Sequence, residues 1–546
     1  MLLLQPLLRA VRAVPTGPSF DSGSIVVLLL VGLVFLVLRA ALRVLRALRS
    51  PLRYIPGPFL AQLTPAALRW HELRGGRTRY VHALHRRYGP AVRLGPNEVS
   101  YASAAAVKAI YNTAGSGYDK TAFYDLFTHA RRRRILADRY AKSNILRGPS
   151  VAGIEERSQR FVRLCRDAAG GVLDIYQSGN AHAVLPALHA YAFDCVTHHL
   201  FHPYGTDSLG KASDAEIMRE VTFDDSLQNR LVSYYSPTLH AVVGRVLALF
   251  AKPRQTPLAD RFVLDTAART DAASFTLLSR MHEKQQQPPS AGGFDALDVA
   301  AESLDHMAAG IDTTGDALCF LMWELSQPRS QPIQARLRRE LRASRDDDDA
   351  ASAAWDRLPF LEAVVLEGLR CFPAIPMSLP RVVPGRTWGR ARKQPQTPHP
   401  LAAADEDENE NENADGRVVD GYFLPAGTVV SCQAYSVHRS DAAVFPDPDT
   451  FNPDRWLAAE GDAERKRLFF AFASGGRGCI GKHLALVEMK ILLRDVYSRF
   501  ATTPEASMTP ESMAMSDQLI SSRPVGQRCV LQFAPLDLDG NRASVQ

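Results

Sequence analysis

The chain has 546 residues, 46% of them hydrophobic and 22% charged, and a formal net charge of +6. This length and apolar content suffice for one large enzyme domain or two ordinary ones, and they exclude a small binding module. The mild charge, with no interleaving of arginines and aromatic residues, excludes a nucleic-acid surface. Seven scattered cysteines without a Cys-x-x-Cys pair favour a reducing compartment.

An uncharged apolar run near the N-terminus predicts a membrane-spanning helix. The run covers residues 22–38, and apolar residues extend it past Arg39 and Arg43. It is long enough to cross a bilayer if these arginines reach the interface. Arginines are more numerous after the run than before it, which places the bulk of the chain in the cytoplasm. A cleaved signal peptide is the alternative, but the regularly spaced arginines do not resemble a cleavage site.

The sequence divides into four predicted segments. These are a short lumenal segment (1–23), a transmembrane anchor (24–46), a basic, proline-containing hinge (47–58) and a catalytic domain (59–546). Beyond the hinge, helical periodicity dominates, with short strand-like runs at Ala91–Leu94, Glu98–Tyr101 and Thr428–Cys432. The predicted fold class is therefore mainly α with small β-sheets, that is, α+β.

A long helical pattern, Ala296–Ser326, carries polar residues in its middle. The run Ala309-Gly-Ile-Asp312-Thr313-Thr contains several residues that lower helix propensity. Hydroxyls bonding to carbonyls one turn back would open the helix locally, and Thr313 and Asp312 could then deliver protons through water. A helix kink without chemistry is the alternative.

A second helical pattern, Phe360–Cys371, places Glu367 and Arg370 on one face. Such a pair is usually a marginal surface ion pair. Arg455, in a Pro-Asp-Arg-Trp run further along the chain, could close a buried network with both residues. A buried network of this kind fails badly when one member is removed.

Between these elements lies a stretch of low complexity at residues 386–415. Its first part is basic and contains prolines, and its second part is an acidic tract rich in Asp, Glu and Asn. Such a sequence cannot bury enough apolar surface to become ordered. We expect a solvated, disordered insertion without catalytic residues.

The glycine-rich run at residues 472–481 predicts a haem-thiolate site. Cys479 precedes a helical pattern, and a helix N-terminus stabilises the thiolate that binds iron. Gly475 and its neighbouring glycines would let the backbone approach a flat macrocycle. Phe472 would cover the sulfur, and Arg477 would pair with a haem propionate.

Two other interpretations of this run remain open. The spacing Gly476-x-Gly478-x-x-Gly481 after an apolar run also fits a dinucleotide-binding turn. That fold needs a second strand ending in an acidic residue about 20 residues on, which this sequence does not supply. A zinc site at Cys479 and His483 lacks a second ligand pair.

In their order along the chain, the four motifs resemble those of the cytochrome P450 family. They are Ala-Gly-x-Asp-Thr-Thr, Glu-x-x-Arg, Pro-Asp-Arg-Trp and Phe-x-x-Gly-x-Arg-x-Cys-x-Gly. The resemblance covers residues 54–533, and the anchor and Pro-Gly-Pro hinge are similar to the microsomal branch. The runs Gly117–Lys120 and Gln433–His438 are most similar to enzymes of filamentous fungi.

The resemblance assigns roles to the motif residues. It implies haem b with Cys479 as the axial thiolate, Thr313 and Asp312 protonating bound dioxygen, and a structural triad of Glu367, Arg370 and Arg455. Arg381 matches a propionate-binding arginine. The family's usual Trp-x-x-x-Arg pair becomes His129 and Arg133, which would also contact a propionate, although this arginine run could instead be a solvated basic face. The stretch between Asp119 and His129 is short for the loop that roofs the substrate cavity.

The implied activity is that of a monooxygenase of the endoplasmic reticulum membrane with a cytosolic catalytic domain. One oxygen atom from O2 would enter an apolar small molecule, in fungal secondary metabolism or xenobiotic oxidation. Electrons would come from NADPH through NADPH-cytochrome P450 reductase, with cytochrome b5 as a possible second donor. Arg131–Arg134, Arg465, Lys466, Arg467 and Lys482 are expected to form the basic docking face.

Two rival functions are weighed against this one. A haem-thiolate isomerase or dehydratase would act without a reductase, and a membrane-tethered haem or lipid carrier would have no turnover. The Asp312 and Thr313 pair argues against both, because neither needs proton delivery. The identity of the substrate does not follow from the sequence.

Overall fold

The computed structural model describes only part of the chain. The described ranges are residues 22–112, 117–126, 136–176, 187–222, 227–247, 256–285, 294–344, 354–385, 415–518 and 521–536. The predicted lumenal segment up to residue 21 and residues 386–414 of the predicted insertion lie outside them. His129, Arg133 and the whole arginine run 131–134 also lie outside the described residues.

Helices dominate the described residues. They are α1 (Ser22–Arg49), α2 (Phe59–Leu63), α3 (Ala66–Leu73), α4 (Arg77–Tyr88), α5 (Ala104–Val107), α6 (Lys142–Ile145), α7 (Gly148–Asp167), α8 (Ala187–Phe201), α9 (Ala212–Val221), α10 (Leu227–Tyr235), α11 (Pro237–Leu247), α12 (Pro257–Ala267), α13 (Leu277–Gln285), α14 (Ala296–Ser326), α15 (Gln331–Ala343), α16 (Pro359–Cys371), α17 (Ala434–Val437), α18 (Asp462–Leu468) and α19 (Lys482–Tyr497). The predicted helices at 296–326 and 360–371 are confirmed as α14 and α16.

The strands are short and form small sheets. They are β1 (Ala91–Gly95), β2 (Glu98–Tyr101), β3 (Asp119–Lys120), β4 (Val172–Asp174), β5 (Arg381–Val382), β6 (Gly416–Val419), β7 (Tyr422–Pro425), β8 (Val429–Cys432), β9 (Phe500–Pro504), β10 (Met515–Asp517), β11 (Ser522–Pro524) and β12 (Val530–Pro535). The largest sheet has the order β1-β2-β8-β5-β3, in which only β2 and β8 pair in parallel. The others are β4-β12-β9, β6-β7 and β10-β11. The predicted α+β class is confirmed.

Two fully buried helix segments form the centre of the core. Every residue of α8 is buried, and so is every residue of α14 from Thr314 to its end at Ser326. A helix that is apolar on all sides is stable only when neighbouring elements surround it. Asp295 caps the N-terminus of α14 through a capping box with Asp298, and the helix ends just before Pro328. Because both ends of α14 are defined in this way, the residues of the helix that can line the functional site are defined as well.

The predicted local opening of α14 is wrong, because the helix assignment is continuous from Ala296 to Ser326. Gly310 instead allows α8 to pack closely. A Cβ atom at Gly310 would lie 2.7 Å from Cγ2 of Val196, closer than real side chains approach. The glycine in this polar run therefore serves the contact between the two helices.

The N-terminal helix α1 extends from Ser22 to Arg49. Among the residues that the structure describes, no helix combines the length and the apolarity that a membrane crossing requires. The anchor predicted over residues 24–46 therefore stays a prediction.

A buried ion network joins α16 to the Pro-Asp-Arg-Trp segment. Glu367 accepts hydrogen bonds from Arg370 at 2.8 and 2.9 Å and from Nε of Arg455 at 3.0 Å. Nε1 of Trp456 and the backbone N–H of Asn452 donate to the same carboxylate, both at 2.9 Å. Burial alone would raise the pKa of Glu367, but the bonds and charges of Arg370 and Arg455 hold this pKa below its usual value.

Removing the charge at the centre of this network should destabilise the protein strongly. We expect Glu367→Gln to lower the free energy of unfolding in urea by about 3–5 kcal/mol, because two buried guanidinium groups lose their counter-ion. The matched control is Glu464→Gln, since Glu464 pairs with Arg467 on the exposed surface of α18. Its loss should cost less than about 0.5 kcal/mol. Equal unfolding curves for the two variants would contradict the role of the network.

Candidate active site

One cavity brings the Cys479 loop and α14 together. It encloses about 320 Å³ and is lined by both Cys479 and Thr313. Ala309, Ala374 and Ile375 also line it. Its other apolar lining residues include Val196, Ala317, Leu369, Leu379, Phe470, Phe472, Ile480 and Leu484. Such a cavity suits a large, flat, apolar group together with an apolar small molecule.

Cys479 differs from the other cysteines in its exposure. It is exposed, whereas the six remaining cysteines are all buried. Burial raises the pKa of Cys371 to about 12 and also raises that of Cys195, so these groups stay thiols. The Cys479 sulfur is therefore the one that is accessible to a metal at the cavity.

Backbone hydrogen bonds hold the Cys479 loop in shape. The N–H of Cys479 donates to the carbonyl of Phe472 at 2.8 Å, and the N–H of Gly478 donates to the carbonyl of Gly475 at 3.0 Å. Helix α19 begins at Lys482, three residues after the cysteine. The sulfur thus lies near the positive end of a helix dipole, as the sequence predicts.

Gly475 is required where the loop meets the Tyr111 segment. Its φ is +65°, and a Cβ atom there would lie 1.9 Å from the carbonyl oxygen of Tyr111. Gly476, in contrast, has open space around its Cα. The neighbouring Tyr111 segment therefore places a tight constraint on this loop at Gly475.

His438 connects the loop to the buried ion network. The N–H of Phe470 donates to Nε2 of His438 at 2.8 Å, and Nδ1 of His438 lies 2.9 Å from the carbonyl oxygen of Arg370. Burial lowers the pKa of His438 to about 3, so the ring is neutral and can both accept and donate. The orientation of the loop thus depends on α16 through one imidazole.

Three cationic side chains line the same cavity: Lys120, Arg381 and Arg477. Arg381 is buried and donates from Nη1 to the hydroxyl of Tyr124 at 2.7 Å. Nη2 of Arg477 donates to Asp119 at 2.8 Å. Sequence reasoning assigned no role to Lys120 and Tyr124. The pairing of β3 with β5, which sets Lys120 opposite Arg381, is a long-range contact.

On α14, the predicted pair of residues separates. The hydroxyl of Thr313 donates to the carbonyl of Ala309 at 2.8 Å and lines the cavity. Asp312 instead accepts a hydrogen bond from Nη2 of Arg523 at 3.2 Å, and its other oxygen lies 4.0 Å from Nε2 of His189. Only the threonine therefore meets the cavity directly.

Further polar residues of the cavity wall were missed by sequence reasoning. Glu488 of α19 is buried at the cavity, and burial raises its pKa well above the usual value. Tyr140 and His306 also line the cavity, with the phenol oxygen 2.8 Å from Nδ1 of the imidazole. No local motif marks these residues, since each belongs to an ordinary helical or turn segment.

These residues fit a haem group. An exposed cysteine, three cations able to pair with propionates, and apolar walls surround one space. A Cβ atom at Gly481 would lie 3.9 Å from both the sulfur of Cys479 and Cε1 of Tyr140, which is ordinary van der Waals contact.

Comparison with known proteins agrees with this fit. The sequence model of the family described as cytochrome P450 matches residues 58–387 and 412–529. The chain belongs to the cytochrome P450 family. Members of this family bind haem through an axial cysteine thiolate, and in this P450 the ligand is Cys479.

Curated relatives are fungal P450 monooxygenases. The chain is 28% identical to the cytochrome P450 monooxygenase stcB of Emericella nidulans, over 88% of each chain. It is also 28% identical to aflV of Aspergillus parasiticus, over 96% of this chain and 98% of the relative. The relative tazI of Aspergillus terreus is 28% identical over 94% and 98%. The protein is therefore a P450 monooxygenase that resembles fungal members.

The predicted basic docking face needs one correction. Arg465 is buried and donates to the carbonyls of Glu460 and Ala458, so it does not belong to a surface. These two carbonyls lie in the turn that precedes α18, and they hold the Arg465 side chain against this turn. Lys466 and Lys482 are exposed, as expected for members of such a face.

The contrast between the two adjacent glycines gives a direct test of the loop. We expect Gly475→Ala to lower the haem bound per polypeptide and the thermal unfolding midpoint, because the loop must move away from Tyr111. Gly476→Ala should change the free energy of unfolding by no more than about 0.5 kcal/mol. Haem absorbance and thermal melts measure both effects, and equal haem contents in the two variants would contradict this account.

Proposed function

We propose that this P450 is a membrane-anchored monooxygenase that inserts one oxygen atom of O2 into an apolar small molecule. The electrons come from NADPH through a flavoprotein reductase. One observation carries the proposal: a single cavity with apolar walls is lined by both the Cys479 ligand and the Thr313 hydroxyl. A secondary metabolite or a xenobiotic is the substrate class that suits these walls.

The chain's own residues divide the task between two sides of the cavity. Haem, when bound, supplies the chemistry of oxygen activation and substrate oxidation. Cys479 would hold the iron as a thiolate, and Lys120, Arg381 and Arg477 would pair with the propionates. Thr313 holds a proton at the cavity wall, and Asp312, its neighbour on α14, is the acid that supplies it.

A basic surface near Cys479 supports a reductase as the electron donor, with cytochrome b5 as a second candidate. Lys142 and Lys482 are both exposed, and both lie close to His483. Burial and the charges of these two lysines lower the pKa of His483, and Nζ of Lys142 is itself paired with Asp356 at 2.6 Å. The exposed positive charge here is therefore mainly that of Lys482. Such a surface attracts an acidic partner and makes the rate of electron transfer depend on salt.

Exposed apolar side chains support attachment to a membrane of the endoplasmic reticulum. Helix α11 exposes four large apolar side chains, and α2 and α3 expose three more. They are Leu239, Val242, Val243 and Val246 on α11, and Phe59, Leu60 and Trp70 on α2 and α3. Nε2 of Gln228, on the helix preceding α11, donates to the carbonyl of Leu73 at the end of α3. The apolar residues therefore belong to neighbouring elements, and a patch of this kind marks a membrane surface.

Removing the cysteine ligand tests the core of the proposal. In the wild-type protein, the carbon monoxide complex of the reduced form should show the long-wavelength Soret band typical of thiolate ligation. Cys479→Ala should lose this band completely, because no other cysteine is exposed. Cys165→Ala, at a fully buried site away from the cavity, should keep it.

Dependence on electrons separates the proposed function from its rival. With a reductase present, the wild-type protein should oxidise NADPH, and higher salt or charge reversal at Lys482 should slow its reduction. An isomerase or dehydratase would turn over without NADPH. A persistent thiolate band in Cys479→Ala, or turnover independent of reductase, would refute the proposal.

The membrane attachment is tested in two steps. Removing residues 1–49 should weaken binding to phospholipid vesicles in a flotation assay without abolishing it, because the α11 patch remains. Adding Val242→Asp and Val243→Asp to this truncated protein should release it. Leu297→Asp, which charges an even more exposed apolar residue outside the patch, is the control and should leave binding unchanged. Soluble behaviour of the full chain would contradict the proposal.

A further inference from the structure

Asp312 faces a polar cluster and not the cavity. Its Oδ2 accepts the hydrogen bond from Arg523, and its Oδ1 lies 4.0 Å from Nε2 of His189. The same imidazole nitrogen lies 3.2 Å from Oδ1 of Asp316. One ring nitrogen therefore faces two carboxylates that stand one helical turn apart on α14.

The absence of a side chain at Gly315 leaves space on α14 for the His189 ring. A Cβ atom at Gly315 would lie 2.8 Å from Cδ2 of His189, so only glycine lets the ring lie against α14 at this point. Tyr176 packs edge-on against the ring, with centroids 5.1 Å apart. Helix α8 thus places His189 between Asp312 and Asp316, shielded from bulk water.

Two atoms of the cluster are buried without a hydrogen-bond partner among the described residues. They are Nδ1 of His189 and Oδ2 of Asp316. His189 is 6% exposed and Asp316 is fully buried. Unpaired polar atoms at such depth are costly in a protein and call for a specific explanation. When the imidazole is protonated, its Nδ1–H is a donor and Oδ2 of Asp316 is an acceptor, the kind of groups that an ordered water satisfies.

The surrounding charges keep a proton on this pair near neutral pH. Burial raises the pKa of Asp316 to about 6. Burial acts to lower the pKa of His189, but the hydrogen bond and charge of Asp316 outweigh it, and the pKa is raised. The other titratable or charged groups that face the pair of His189 and Asp316 are Asp312 and Cys319 of α14, together with Tyr176 and Arg523.

We infer that His189 and Asp316 form a buried proton reserve that restores the proton of Asp312 after Asp312 has given one up toward Thr313. The inference rests on the proposed function, in which Asp312 is the acid behind Thr313. A small rotation moves Nε2–H of the imidazolium from Asp316 to Asp312. The Nε2–H bond breaks, an O–H bond forms on Asp312, the imidazole becomes neutral, and no electrons are transferred. His189 is thus a positioning residue that acts through Asp312.

The reserve explains how protons can reach Asp312 and Thr313 although bulk water does not enter beside the cavity. Asp312 and Arg523 are only partly exposed, with side-chain exposures of 23% and 20%. Water that meets this edge refills the reserve between turnovers. Shortage of protons diverts reduced oxygen to hydrogen peroxide, so the fraction of electrons recovered as peroxide reports on the reserve.

The experiment measures this peroxide fraction against pH, using the full-length haem protein, a reductase, NADPH and O2 without added substrate. In the wild type, the fraction should rise as pH increases through the pKa of His189, because the reserve then loses its proton. Asp316→Asn removes the carboxylate that raises this pKa, and the rise should move to lower pH by about 1–3 units. His189→Gln should give a fraction that is several-fold higher at neutral pH and lacks this rise.

Controls separate this inference from structural damage and from the proposed function. His85→Gln removes another buried imidazole, one bonded to Ser100 and the carbonyl of Gly89, and should behave as wild type. Unchanged profiles in both His189→Gln and Asp316→Asn, with intact thiolate spectra, would overturn the inference and leave the proposed function standing. A wild-type protein without the thiolate spectrum would overturn both. Asp316→Asn keeps the shape of the side chain, so it remains informative if His189→Gln folds poorly.

Discussion

The structure depends on holding one exposed sulfur at a fixed place in an apolar cavity. A loop of glycines cannot do this alone, because its backbone has too many accessible conformations. The constraint comes from outside the loop, through contact of Gly475 with the Tyr111 carbonyl and through His438, which links Phe470 to Arg370. The buried Glu367 network then fixes α16, so a charge cluster outside the cavity determines where the ligand stands.

On the α14 side of the cavity, two glycines allow the neighbouring helix α8 to pack closely. Gly310 and Gly315 of α14 each remove a side chain where α8 comes closest, and Val196 and His189 of α8 fill the two spaces. The close approach leaves Thr313 directed to the cavity and Asp312 directed to the polar cluster behind it. Glycines that look like helix breakers in the sequence are therefore packing residues in the fold.

Much of the site could be predicted from local sequence. The bounds of α14 and α16 follow from apolar periodicity, from the cap at Asp295 and from the prolines at their ends. Cys479 is recognisable because a thiolate ligand needs glycine, an arginine and a helix start nearby in the chain. Arg465 shows the limit of such reasoning, since its charge suggests a surface while its side chain is buried and bonds to backbone carbonyls.

The sequence by itself determined the ligand, the fold class and the family, because these depend on chemistry and periodicity within short segments. Tertiary structure alone decided which distant residues share the cavity. Lys120 meets Arg381 only through strand pairing, and His189 meets Asp312 and Asp316 only through the packing of α8 on α14. Such contacts join residues far apart in the chain, and no local pattern encodes their distance or their protonation.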